Sequence, residues 1–132
     1  MKKFKYLIGL LLVISSFSTI VITYANNYDY HLRKPVVLAD YYKIKVYTDG
    51  VFDATDVNTL TVIISYIYDD TYFEEEMIPT NILLTPRIIL LDFDGTLPPD
   101  GCSEVLITVD GFLTDGSTFV SSGGGPGFRR RP

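Results

Sequence analysis

From residue 35 to residue 121 apolar and polar positions alternate in short runs instead of recurring every third or fourth residue, which predicts strands and not helices. Residues 35–38 are short and begin with Pro35, as suits a sheet edge. In 41–48, Tyr42, Ile44 and Val46 fall on one face, with Lys43 and Lys45 on the other. In 60–68, Leu60, Val62, Ile64, Tyr66 and Tyr68 share a face. Residues 72–78 form a further strand weakened by Glu74, Glu75 and Glu76. Residues 87–93 are apolar throughout, the expectation for a central strand buried on both sides. Val105, Ile107 and Val109 alternate inward in 104–109, and 117–121 close the set around Phe119. The only helical signal in this region is one turn at 53–58.

Glycine placement supports the strand reading. Outside the leader and the tail there are five glycines, and each follows an aspartate: Asp49-Gly50, Asp94-Gly95, Asp100-Gly101, Asp110-Gly111 and Asp115-Gly116. Asp-Gly tolerates the positive φ that tight hairpin turns need, so all five are expected to be turns. Short strands, frequent turns and no helices predict an all-β fold, a single small β-sandwich over 35–121. The layout resembles immunoglobulin-like and fibronectin-like modules in architecture, though without the tryptophan and cysteine pair of true immunoglobulin domains.

Before residue 26 the pattern changes. Lys2, Lys3 and Lys5 precede an apolar run over 7–22, interrupted only by Gly9, Ser15, Ser16, Ser18 and Thr19. Thr23 and Ala25 then place small residues three and one positions before a cut. This predicts a secretory signal peptide over 1–25, a mature start near Asn26, and export to a secreted, periplasmic or cell-surface location. The apolar run has 16 residues, short of the roughly 20 a membrane span needs, so contact with a membrane is expected only through an uncleaved leader. Residues 26–34 read as a polar lead-in and 122–132 as a Gly-rich tail with a basic tip, Arg129, Arg130 and Arg131.

Charge narrows the partners. Without the leader the chain has 8 basic against 16 acidic residues, a net of −8. A body this acidic repels nucleic acid, so the expected partner is a protein or a carbohydrate. The single cysteine, Cys102, excludes an intramolecular disulfide and reads as a small buried hydrophobe. His31 is the one histidine, which leaves no material for a Ser-His-Asp triad or a multi-ligand zinc site.

Three constellations carry candidate chemistry. Tyr41, Lys43, Lys45 and Tyr47 share a strand face, and aromatic groups beside cations stack on sugars or grip acidic peptides. Asp92, Asp94, Asp100 and Glu104 lie close in sequence, and Asp110 and Asp115 join them if the turns gather at one end; together they are a candidate calcium site. The third is Ile88 to Leu97, reading IILLDFDGTL. This segment resembles the first motif of haloacid-dehalogenase-like phosphatases. The resemblance implies Asp92 as a nucleophile and Asp94 as a general acid/base beside a magnesium ion. It covers about ten residues, and the 35 that follow Leu97 hold no lysine and no paired aspartates for the family's later motifs. The expectation is therefore a non-enzyme needing no cofactor: an exported binding or structural module. The runner-up is an inhibitor or immunity-like protein that blocks a partner through its acidic surface, and phosphatase-like chemistry is the remote third.

Overall fold

The computed structural model describes residues 27–124. The expected leader with its cut at Ala25 and the Arg129–Arg131 tip lie outside the described residues. The described chain is all-β. Nine strands run in order: β1 (Asp29–Leu32), β2 (Val36–Leu38), β3 (Lys43–Tyr47), β4 (Val57–Tyr68), β5 (Thr71–Glu76), β6 (Asn81–Thr85), β7 (Ile88–Asp92), β8 (Ser103–Leu113) and β9 (Thr118–Gly124). The helical pieces among the described residues are two three-residue 3-10 turns, Ala39–Tyr41 and Ala54–Asp56. The strands form a five-stranded sheet, β1-β9-β8-β4-β5, and a four-stranded sheet, β2-β3-β7-β6. Every pairing is antiparallel except β1 on β9.

One buried apolar cluster draws on both sheets. The four-stranded sheet contributes Ile44, Val46, Ile89 and Leu91, and the five-stranded sheet Val62, Ile64, Tyr66, Val105, Ile107, Val109 and Phe119. Alternation places them: in β3, β4 and β8 every second residue is apolar, so one face of each strand is fit for burial. Each such aliphatic side chain contributes roughly 1.5–3 kcal/mol when removed from water. Cys102 belongs to the same cluster and is 1% exposed.

Several sequence expectations need correction. Strand β7 is central in its sheet but buried on one face only. Ile89 and Leu91 are inward, while Ile88 and Leu90 are only half-buried on the other face. Strand β1 arises from the polar lead-in, and β9 runs three residues into the expected tail. Strand β6, with no alternation to announce it, pairs along its length with β7.

The turns also differ. The two-residue hairpin between β4 and β5 is Asp69-Asp70, with φ of +52° and +59°, where aspartate takes the left-handed conformation usually given to glycine. Asp110-Gly111 is no turn. Gly111 lies inside β8 opposite Leu60, where a Cβ would sit 2.0 Å from the Thr59 carbonyl oxygen. The register shifts between Val57 and Thr59 bring the β4 backbone in at this point, and only glycine leaves room for it. A different strain sits between β2 and β3: Ala39, Asp40 and Tyr41 all have positive φ, from +50° to +73°.

These two backbone sites predict opposite stability effects. Gly111→Ala forces a Cβ into main chain and is expected to destabilise the fold by about 1–3 kcal/mol or more. Ala39→Gly relieves a left-handed alanine and is expected to stabilise it by about 0.5–1 kcal/mol, the left-handed penalty less the added unfolded-state entropy. Urea denaturation of both variants beside the wild type measures the two signs.

Candidate functional site

The outer face of the four-stranded sheet gathers four of the residues singled out from sequence, Lys43, Lys45, Tyr47 and Asp92. With Ile44 and Val46 turned to the core, Lys43, Lys45 and Tyr47 point away from it. Register sets their neighbours. Lys45 lies between Val36 and Leu90, with Leu83 beyond. Lys43 lies between Leu38 and Asp92, with Asn81 beyond. Tyr47 sits beside Ile88, with Thr85 beyond. The face is therefore a mixed surface of lysine, tyrosine and half-buried aliphatic side chains.

Its polar groups are interlocked. The Lys43 ammonium donates to Asp92 Oδ1 at 2.7 Å, and Asn81 Nδ2 approaches Asp92 Oδ2 at 3.5 Å. These donors, Lys43 first, hold the Asp92 carboxyl below its ordinary value. The Arg33 guanidinium lies 4.2 Å from the centre of the Tyr47 ring, and its Nε is 3.1 Å from Asp49 Oδ2. That stacking was invisible in the sequence, because Arg33 precedes β2 and Tyr47 ends β3. Lys45 makes no ion pair among the described residues.

Tyr41 does not join the face. The left-handed turn at Ala39–Tyr41 breaks the alternation before β3 begins, so Tyr41 is buried at 3% exposure and Tyr42 is exposed instead. Tyr42 packs on the Asp94-Gly95 turn: a Cβ on Gly95, whose φ is +81°, would lie 2.3 Å from the tyrosine ring.

The expected calcium ligands are not brought together. Among the described residues no three His, Cys, Asp or Glu side chains are grouped so that they could hold a metal ion. Asp92 belongs to the outer face of one sheet, whereas Glu104 sits on a bulge of β8 in the other, with φ +53°. Asp94 Oδ1 accepts from the Thr96 backbone N–H at 3.0 Å and from its hydroxyl at 2.8 Å, which lowers the Asp94 pKa. Asp115 is lowered in the same way by the Ser117 N–H, in the turn between β8 and β9. Asp100 follows in the loop before β8, and Asp110 lies within β8. The two aspartates of the phosphatase-like motif are thus engaged separately, Asp92 by Lys43 and Asp94 by its own turn. His31 lies exposed on β1, 3.4 Å from Asp29.

Charge is unevenly spread over the molecule. All 16 acids lie within residues 27–124, against five basic residues there. Those five, Arg33, Lys34, Lys43, Lys45 and Arg87, lead into the four-stranded sheet, lie on it, or form its β6–β7 turn. The opposite extreme is β5, exposed along its whole length with Glu74, Glu75 and Glu76 at its end. No family model, no curated protein and no solved structure matches the chain.

The Lys43–Asp92 contact makes a titration prediction. Because the folded pKa of Asp92 is depressed, its contribution to stability is complete above the unfolded value and is lost as pH falls through the folded one. By NMR the Asp92 carboxyl is expected to titrate below 3.8 and to move upward in Lys43→Ala. The stability margin of the wild type over that variant should be constant above about pH 5 and shrink below about pH 4.

Proposed function

We propose that the protein is an exported β-sandwich that works as a binding or structural module at the cell surface or envelope, without catalysis. In this reading the outer face of β2-β3-β7-β6 receives an anionic partner, an acidic protein segment or an acidic carbohydrate. The observation that carries it is the segregation of charge: in a chain with 16 acids, every described basic residue belongs to this one sheet and its approaches. Lys45, set between Val36 and Leu90, supplies a cation without an ion pair among the described residues, and Tyr47 supplies a ring already stacked on Arg33. Half-buried Leu90 and Ile88 add apolar area beside them.

The immunoglobulin- or fibronectin-like form of the sandwich is supported by strand order. The order β2-β3-β7-β6 corresponds to strands A-B-E-D of that architecture, and β9-β8-β4 to G-F-C, with β5 as an added edge. Strand β1, parallel to β9, is additional. This correspondence concerns architecture and carries no function with it. A second reading, a blocking protein that acts through its acidic surface, is favoured by one feature, the exposed Glu74–Glu76 edge of β5.

The readings separate by mutation. In a pull-down from surface or envelope extracts, Lys43→Glu with Lys45→Glu is expected to lose the partner while Glu74→Lys with Glu76→Lys keeps it. The reverse pattern would establish the blocking reading. Export is tested independently, by terminal sequencing of the protein outside the cytoplasm, which should begin near Asn26; recovery of Met1 in a membrane fraction would show the leader to be an anchor.

A further inference from the structure

The two sheets together present four edge strands, β1, β5, β2 and β6. Three carry features that oppose pairing with another chain. Strand β5 carries three glutamates, β1 carries Asp29 and His31, and β2 is three residues long and follows Pro35. Strand β6, NILLT, has no charge and no proline, and Ile82 and Leu83 are 45% and 50% exposed. Residues 77–91, which contain β6 and β7 up to Leu91, form a stretch of 15 without one acidic residue.

We infer that β6 is a self-pairing edge. Two copies of the chain join antiparallel through residues 81–85 about a two-fold axis at Leu83, and two four-stranded sheets become one of eight strands. This goes beyond the ligand-binding reading and does not rest on it.

Three observations converge on a second copy as the occupant. The first is sequence self-complementarity. Read antiparallel about Leu83, Asn81 meets Thr85, Ile82 meets Leu84 and Leu83 meets Leu83, so every apolar side chain faces an apolar one and the polar residues close the ends. The second is the shape beside the edge. Ile82 and Leu84, opposite the inward-facing Leu91 and Ile89, line a groove with Val57 and Leu60. In the pair, Leu84 of one copy covers Ile82 of the other at that groove.

The third observation is charge. The two ends of strand β6 differ: Arg87 marks the far one, where the Ala54–Asp56 turn with its Asp53 cap also packs, the Ala54 N–H donating to the Pro86 carbonyl. At its start Thr80 N–H donates to the Asp92 carbonyl, and Glu76 and Asp94 line one cleft close by. Just past its end lies Arg87, exposed and without an ion pair among the described residues. An antiparallel two-fold pairing carries each Arg87 to the Glu76 and Asp94 end of the other copy, twice in one interface.

The edge is only five residues long, so the dimer is expected to be weak and to form at high protein concentration. Sedimentation velocity of the purified protein over a concentration series should show a monomer–dimer equilibrium. Leu83→Lys and Arg87→Glu, both at exposed positions, should each weaken it by about tenfold or more with an unchanged circular dichroism spectrum. Phe73→Lys, on the β5 edge, should leave it unchanged. Leu83→Cys places two thiols directly opposite each other and should give a disulfide-linked dimer under mild oxidation, whereas Val36→Cys on the β2 edge should not. A monomer at every concentration, a dimer indifferent to Leu83→Lys, or equal cross-linking from Val36→Cys would overturn the inference. A monomer whose β6 amides are nonetheless protected from hydrogen exchange would also overturn it, and would show that chain outside 27–124 covers the edge.

Discussion

The structure depends on the ladder between β4 and β8, strands of 12 and 11 residues at the middle of the five-stranded sheet. Val62 faces Val109 and Ile64 faces Ile107, and all four are buried. A slip of one residue would send that set to solvent and bring Ile63 and Thr108 inward. Two local features pin the register against such a slip. At one end Gly111 admits the β4 backbone. At the other a shift between Ser65 and Ile67 accompanies Glu104 in a left-handed conformation. Strands β5 and β9 follow from the ladder by tight turns, and β1 is then laid on β9.

The acidic composition is only partly a matter of solubility. Asp53, Asp94 and Asp115 each accept from the backbone N–H two residues on, at Thr55, Thr96 and Ser117. An aspartate that closes its own turn this way is local backbone chemistry, and its carboxylate is the form that does it. All three are accordingly held below the usual aspartate range, Asp53 first by the Thr55 hydroxyl and then by the Thr55 N–H, Asp94 and Asp115 first by the N–H. Glutamates 74–76 serve differently, as charge along an exposed edge. The four-stranded sheet carries Asp92 and otherwise gathers the basic residues and the half-buried aliphatic ones.

Alternation made the middle of the fold legible: the inward sets of β3, β4 and β8 follow from period two alone. What alternation missed is non-local or one-sided. Strand β1 is polar and short, and its partners lie far along the chain, Thr118 donating to Asp29 across 89 positions. Strand β6 is apolar without a period, because its edge position leaves Leu83 half-exposed on the outer face. The apolar run of β7 suggested burial on both sides, yet Ile88 and Leu90 on its outer face are only half-buried. Asp110-Gly111 carried a turn signature for a different reason, the close approach of another strand.

The same distinction governs the candidate site. Lys43, Lys45 and Tyr47 could be placed on one face because they sit in one regular strand, where parity fixes direction. Tyr41 could not, because it is the last of three left-handed residues just before that strand, and they reset the parity. The carboxylates failed for a related reason. Asp92 and Asp94 would share a face if β7 continued, but it ends at Asp92, and the next aspartate belongs to a turn with Gly95 at φ +81°. Nearness in sequence therefore assembles a site in a β protein only while the strand stays regular. The Lys43–Asp92 contact of the face spans 49 positions and was set by the pairing of β3 with β7.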